Sequence, residues 1–544
     1  MWYFLIPIAV GIVVVAGLLW LRRSVGGLGD LLLDSVGPTR RVWGVTRTMI
    51  VEALRTRIAR VSIVLLLAML PAMGVSLEGD GTLPGRAQNF LTYALGVTAF
   101  LLSLMTVFLS FRTLAGEISD RRIHTIVTKP IPRWQFLLGK WLGLLTVNVA
   151  LLAVAGVLVY GFLRYQASRP TVRERAAIAR MRPAGASPEE IEALLARNPQ
   201  RKELFNEVLV ARAGVRPVPP DFAAAIRERL DVLRSEQRIP PDMDEAQRQK
   251  LIADIRKEFV GQWQNIPHGG RRGYVFEGVD LDRSEGQSIQ FRFKPKANPT
   301  PPSNSVHAAL LIKSVSSGRW AILPFEAPVK QFYTVRWPPP GSPPDEIDDY
   351  IDDRGRVEVV FANAAFDTSG RMVPLKPEQQ TRITLEGDDG LELFYRVGSF
   401  EANLARGLAM ILLHLVFLAA LGLACATFLS FPMACFLSLV VFLAGLMNGF
   451  ITEALKWSGK TTPGEFDPIA WWGRVSKPLS RAFLWVVPDF SAFDPMASLV
   501  DGRAIPWIWL GQAAVSIVLI RTGVVALLGM WIFRRRELAT ADYS

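Results

Sequence analysis

The apolar residues of this chain fall in blocks about 20 residues long, the length that spans the hydrocarbon core of a bilayer. No other feature limits the fold so strongly. The blocks run over Trp2–Leu21, Arg60–Leu77, Phe90–Phe111, Phe136–Phe162, Leu404–Leu429, Met433–Leu455 and Trp507–Phe533. They predict about seven helices, each long enough to cross a membrane. Half of the 544 residues are hydrophobic (50%) and the mean hydropathy is +0.26. Those values exclude a purely soluble enzyme, a disordered chain, a collagen and a small disulfide scaffold. The two cysteines, Cys425 and Cys435, both lie in apolar blocks, which leaves no disulfide framework and no thiolate metal site.

Lys and Arg total 61 against 49 Asp and Glu, a formal net charge of +12 with a pI near 9.8. In a soluble chain that balance would point to nucleic acid. Here the basic residues flank the apolar blocks, so they point to membrane topology and lipid, with no nucleic-acid partner. Arg22-Arg23 follows the first block instead of preceding it, which reads as a retained N-terminal anchor and not a cleaved signal. Residues 22–60, Arg112–Lys140 and Arg534-Arg535-Arg536 are Arg-rich and fall on one side of an alternating chain. The positive-inside rule makes that side the cytoplasm. The expected product is a multi-pass protein of the inner (plasma) membrane, N-terminus outside and C-terminal tail (537–544) inside. Residues 164–400 and 456–506 then lie outside. Within 24–59, Met49, Ile50, Ala53 and Leu54 recur at helical spacing among Arg47, Arg55 and Arg57. They predict an amphipathic elbow helix along the inner surface, or simply the lead-in to the next span.

The large insertion divides in two. Residues 164–265 are charged and read as helical: Ser187-Pro188-Glu189-Glu190 is a helix start, and Phe222–Gln237 and Glu245–Phe259 are further helices. From 266 to 400 the period changes to two. Ser288–Phe293, His307–Val315, Arg319–Phe325, Val329–Trp337, Val357–Phe361, Thr381–Leu385 and Leu391–Val397 read as short strands separated by turn clusters. Such spacing predicts a β-sandwich, of jelly-roll type. The Trp-rich stretch 456–506 predicts short helices on the outer face. The fold class is therefore mostly α, a polytopic helical membrane protein with a large extracytoplasmic insertion of helices followed by a β-sandwich.

The most specific run is Leu114–Lys140, between the third and fourth blocks. Glu117, Arg121, Lys129-Pro130-Ile131, Arg133, Phe136, Gly139 and Lys140 stand at set positions in it. This run resembles the second cytoplasmic region of type-2 ABC transporter permeases, most closely the branch of copper-enzyme-maturation and gliding-motility permeases. The resemblance extends over Thr46–Tyr160 and Ala402–Arg536 and implies a six-helix permease core, to which the N-terminal anchor is an addition. In the family this region is a coupling helix docked on an ATPase. The resemblance thus implies that Glu117, Asp120, Arg121, Arg122, Lys129 and Arg133 serve ATPase coupling. The residues themselves suit the role. Glu117–Thr128 can form a short polar helix, Pro130 and Pro132 stop it, and Lys140 can snorkel where the next helix begins. The plainer reading is a basic loop that only sets topology, but topology does not require this order of residues.

No G-x-x-x-x-G-K-[ST] phosphate loop occurs in the sequence, and His124, His268, His307 and His414 are scattered. The chain is therefore expected to be no enzyme and to hold no cofactor of its own, with ATP and Mg bound by a partner ATPase subunit. The other partners implied are a second permease subunit in a homo- or heterodimer, membrane lipid and a periplasmic protein. The leading reading is the permease of an ATP-driven ABC transporter, an exporter. The alternative is an ATPase-driven transmitter or scaffold acting on a periplasmic partner with nothing crossing. Arg521, mid-span in the last block, is either an intramembrane functional contact or an arginine satisfied by carbonyls. Asn148 and His414 read as interhelical hydrogen-bonding groups. The acidic cluster from Asp345 to Asp353 reads as a solvated hairpin tip in preference to a Ca²⁺ site. Trp320, Phe325, Phe332, Tyr333 and Trp337 read as core in preference to a binding face.

Overall fold

The computed structural model describes residues 37–76, 82–119, 132–168, 199–236, 238–239, 243–281, 288–339, 347, 349–367, 370–385, 390–457, 485 and 487–535. The expected N-terminal anchor, the helix start at Ser187 and most of the Trp-rich stretch lie outside the described residues. The chain divides into two compact units, Met1–Val210 with Ser399–Ser544, and Ala211–Gly398.

The first unit is helical. It begins with α1 (Gly37–Arg55), α2 (Arg57–Ser76), α3 (Leu83–Ser119), α4 (Arg133–Ser168) and the short α5 (Pro199–Glu203). After α6 (Ala223–Ser235) and α7 (Glu245–Gln264) of the second unit it resumes with α8 (Phe400–Ala426), α9 (Phe431–Leu446), α10 (Asn448–Trp457), α11 (Pro495–Val500) and α12 (Trp507–Arg535). Among the described residues, five helices are long and apolar enough to cross a membrane: α2, α3, α4, α8 and α12. Residues of α3, α4 and α8 supply most of the buried apolar core. α2 and α12 instead leave apolar side chains such as Val61, Val64, Leu519 and Leu527 exposed, the pattern of a face turned to lipid.

One expected span needs correction. The sixth predicted span, Met433–Leu455, is two pieces, because α9 has only 16 residues and the chain turns at Met447 before α10. The break is held by a neighbouring loop. Phe490 donates its backbone N–H to the Gly445 carbonyl at 3.2 Å, and the Asn448 amide donates to the Val487 carbonyl at 3.3 Å. Of the short polar helix expected over Glu117–Thr128, only the start is described: α3 runs unbroken through Ser119, so Glu117 lies on its last turn, and residues 120–128 lie outside the described residues.

The second unit carries α6 (Ala223–Ser235), α7 (Glu245–Gln264) and the β-sheet region. α6 and α7 pack through buried Ile226, Leu230 and Ile255, with the rings of Phe222 and Phe259 stacked at 5.9 Å. One four-stranded sheet has the order β1-β13-β4-β8, from β1 (Val210–Val215), β4 (Ile289–Phe293), β8 (Tyr333–Trp337) and β13 (Leu391–Ser399). A second has the order β3-β9-β6-β7, from β3 (Arg271–Phe276), β6 (Ser305–Lys313), β7 (Trp320–Pro328) and β9 (Val357–Ala362). Smaller ladders join β2 (Asn265–Ile266), β12 (Arg382–Thr384) and β5 (Lys296–Asn298), and β10 (Ala365–Phe366) with β11 (Met372–Val373). Alternate residues of both large sheets fill one core, among them Ile289, Phe291 and Phe293 from one and Val357, Val359 and Phe361 from the other. All seven strands read from the sequence are present. β1 lies in the stretch read as helical: its six residues Val-Ala-Arg-Ala-Gly-Val hydrogen-bond beside β13, and that partner overrides the helical bias of the flanking residues.

Candidate functional site

The stretch that carries the most specific motif is flanked by a seam between α1 and α4. α1 is amphipathic and buries Met49, Ile50 and Ala53. It lies against α4 where Gly139 and Gly143 withdraw their side chains. A Cβ on Gly139 would stand 2.6 Å from that of Val45, and one on Gly143 would stand 2.6 Å from that of Met49. The helices approach closely enough for the Thr46 hydroxyl to donate to the Gly139 carbonyl at 3.1 Å. Small residues four apart on one helix face are the usual means of such an approach between membrane helices.

Lys140 lies in this seam. Its side chain is 3% exposed, and the ammonium donates to the Thr113 carbonyl of α3 at 2.9 Å. Glu52 of α1, half-exposed, stands 3.7 Å away. The Phe136 ring lies under the ammonium at 5.3 Å. The expected snorkelling of Lys140 is thus corrected. The glycine notches bring α1 over the lysine and close its route to the surface, and a buried cation then needs an anion and a carbonyl. One side chain joins α1, α3 and α4.

Arg133, the first residue of α4, reaches the last turn of α12. It donates to the carbonyls of Phe533 at 2.6 Å and Arg534 at 3.0 Å, with the Phe533 ring 5.6 Å from its guanidinium carbon. A cation on the unpaired carbonyls of a helix C-terminus is favourable. Of the residues expected to serve coupling, Arg133 thus has a task within the chain and Glu117 lies on the last turn of α3, while Asp120, Arg121, Arg122 and Lys129 lie outside the described residues. Residues 120–131 connect two helices whose adjoining ends are fixed by Lys140 and Arg133. Nothing in the sequence singles out Glu52 or Thr113; the one signal it carries is the spacing of Gly139 and Gly143.

Arg521 is held by carbonyls, the second of its two sequence readings. Its Nε donates to the Trp485 carbonyl at 3.1 Å and one Nη to the Ser516 carbonyl at 3.2 Å and to the Ser516 hydroxyl. A π-helical stretch, Ala514–Thr522, aligns residues five apart and so brings Ser516 under Arg521. Asn148 pairs across to α3, its amide donating to the Thr106 hydroxyl at 2.9 Å. His414 departs from its reading. Its Nε2 has no partner among the described residues, and its ring packs 4.7 Å from that of Phe490. Near the opposite ends of α4 and α8, Glu401 accepts from Tyr160 at 2.7 Å and from Arg164 at 2.9 Å.

In the second unit the aromatic residues are mostly core. Phe293, Phe325, Tyr333 and Phe361 form a ring cluster with centroids 5.0–5.9 Å apart. Trp337 packs edge-on to Tyr350 at 4.9 Å, and only Trp320 and Phe332 of the five named are exposed. The described residues of the acidic stretch lie in turns. Asp349 accepts from the Ser314 hydroxyl at 2.5 Å and the Ser316 amide at 3.1 Å, and these bonds hold its carboxyl below the usual range. Asp352 accepts from the amides of Arg354 and Arg356, with Gly355 at a positive φ of 69° between them. Asp345, Glu346 and Asp348 lie outside the described residues, and no metal-holding group of His, Cys, Asp and Glu occurs among the described ones.

No curated protein and no solved structure matches the chain. Residues 39–177, from α1 to beyond the end of α4, match the family model described as ABC-2 family transporter protein.

Proposed function

We propose that this chain is the membrane subunit of an ATP-driven ABC exporter, worked by a separate cytoplasmic ATPase that binds ATP and Mg. The observation that carries the reading is the seam at Lys140. It lies inside the family-matched stretch and ties α1, α3 and α4 together beside residues 120–131. A push on that stretch and the adjoining end of α3, through Glu117, Asp120, Arg121, Arg122 and Lys129, then moves several helices as one body. Through Arg133 it also reaches the end of α12. Such a body can be switched between two states by nucleotide in the partner. In this reading residues 120–131 face the cytoplasm, two permease subunits pair in the membrane of the cell, and the two large sheets form an extracytoplasmic β-sandwich. The resemblance to the copper-enzyme-maturation and gliding-motility branch belongs to the same reading.

The test is co-purification of the full chain with its ATPase. Reversal of Glu117 together with Arg121 is expected to abolish the association while leaving membrane insertion intact; unchanged association overturns the coupling role. A cysteine at Ser284 is expected to react with an impermeant thiol reagent from outside intact cells. Labelling only after lysis overturns the orientation.

A second reading, an ATPase-driven transmitter with nothing crossing, is favoured by the packing. The interior of the first unit, from Phe90 to Ile517, is mainly apolar, and buried polar groups such as Thr98, Thr106 with Asn148, and Asn403 bond to carbonyls or to one another. Accumulation of cargo outside the cell only when the ATPase is intact separates the two.

A further inference from the structure

An open groove of about 240 Å³ lies between α4, α8 and α12. Its walls are apolar. From α12 they include Val518, Thr522, Ala526 and Met530, each four residues from the last. The Thr522 hydroxyl is turned to the Ile517 carbonyl at 2.9 Å, so it adds no free polar group. From α8 come the small residues Ala420 and Ala424, which hollow the floor. The floor is closed where α8 and α12 nearly touch: a Cβ on Gly529 would stand 2.7 Å from that of Ala424. From α4 come Trp134 and Trp141. Trp141 is fixed by its indole N–H on the Val416 carbonyl at 3.2 Å and offers its ring, while Trp134 is 41% exposed.

One end of this groove is cationic. The next step of the α12 stripe after Met530 is Arg534, on the same helix face and exposed. Arg535 stands beside it, 4.3 Å over the Trp531 ring. Neither α4 nor α12 contains an acidic residue. The one acid of α8, Glu401, is on its first turn, at the far end from Ala420 and Ala424. Tryptophan and arginine at the end of an apolar span belong at the level of lipid headgroups. The groove therefore runs from that level into the hydrocarbon, apolar along its length and positive at its mouth.

We propose that this groove holds one acyl chain of an anionic phospholipid, with the lipid phosphate met by Arg534. The shape, the apolar lining and the charge at the mouth fit that one molecule end to end. A zwitterionic lipid fills the slot equally well but gains less from the arginine. The bound lipid would wedge between α4, α8 and α12; Arg133 already joins the adjoining ends of α4 and α12. This proposal requires that the chain spans a bilayer, but not that it couples to an ATPase.

The test is a lipid titration of the purified, delipidated full chain, read by native mass spectrometry, with dioleoylphosphatidylglycerol and dioleoylphosphatidylcholine. The expected result is one tightly held phosphatidylglycerol, bound about fivefold more tightly than phosphatidylcholine, as one arginine near a lipid surface gives. Arg534→Gln should remove that preference and leave the chain-binding intact. Ala526→Trp should fill the groove and abolish retention of both lipids. Leu527→Trp, on the exposed face of α12, should change neither. Equal affinity for the two lipids in the wild type, or undiminished retention in Ala526→Trp, overturns the proposal. If Ala526→Trp does not fold, the wild type and Trp134→Phe serve instead. In bilayers containing dibrominated phosphatidylglycerol, the fluorescence contributed by Trp134 should be quenched more than by dibrominated phosphatidylcholine at the same fraction; equal quenching refutes a specific site.

Discussion

Glu52 and Lys140 face each other at 3.7 Å, the acid on α1 half-exposed and the lysine on α4 buried. The asymmetry determines what each contributes. Glu52 keeps much of its hydration and can lose its partner at little cost. Lys140 has exchanged water for contacts that include this carboxylate and the Thr113 carbonyl, which offset its lost hydration. The helices α3 and α4 that flank residues 120–131 are thereby joined by a group that is buried from solvent.

Lys140→Ala is expected to lower the unfolding stability of the full chain in detergent by about 2 kcal/mol, from a lost charge-assisted hydrogen bond and lost stem packing. Glu52→Gln should cost less than about 1 kcal/mol, as for a solvent-screened pair. Thermal unfolding of both variants checks this. Equal losses would mean that the lysine is not buried as described.

Gly143→Ala should destabilise by about 1–3 kcal/mol, because its Cβ would stand 2.6 Å from Met49 Cβ and 3.1 Å from the Thr46 carbonyl. Gly161→Ala on the same helix has nothing within 4 Å of the added Cβ. It should be neutral or stabilising by up to about 1 kcal/mol. The two variants have the same chemistry and differ only in what faces them, and thermal unfolding reads both.

Arg521→Lys is expected to behave as Arg521→Met, each losing about 1 kcal/mol of stability. The guanidinium spans two carbonyls, Trp485 and Ser516, and a single ammonium does not reproduce that fork. Rescue by lysine in a thermal-unfolding series would show that the charge alone matters.

Asp349 gives a pH dependence of known sign. Hydrogen bonds from Ser314 and Ser316 depress its folded pKa below the ordinary value of 3.8. Its bonds therefore stabilise the fold above that value, and the contribution is lost as the pH falls through it toward the lower folded one. Ser314→Ala should reduce the stability difference between pH 6 and pH 3, approximate values bracketing the titration. Denaturant unfolding of the full chain at the two pH values measures it. An unchanged difference would remove Asp349 from the account.

The matched motif and the apolar blocks were legible because both are local. A run of about 20 apolar residues must become a helix in lipid whatever its neighbours do. The seven strands from Ser288 to Val397 were legible for the same reason, since alternation fixes which side of a strand is buried. β1 was not, because its pairing with β13 joins residues nearly two hundred positions apart, beyond any local pattern. The interruption of the sixth span at Met447 was also invisible. It depends on Phe490 and Val487 arriving from another loop to take up backbone and side-chain hydrogen bonds.

By itself, the sequence determined that this chain spans a membrane and where its most specific motif lies, because apolar length and residue order need no partner. Only the tertiary structure decided which polar groups are buried and what satisfies them: Lys140 on Thr113, Arg133 on the end of α12, Arg521 on two carbonyls. The physical reason is that a buried charge is stable only against a specific donor or acceptor, and which one is near is a property of how helices pack.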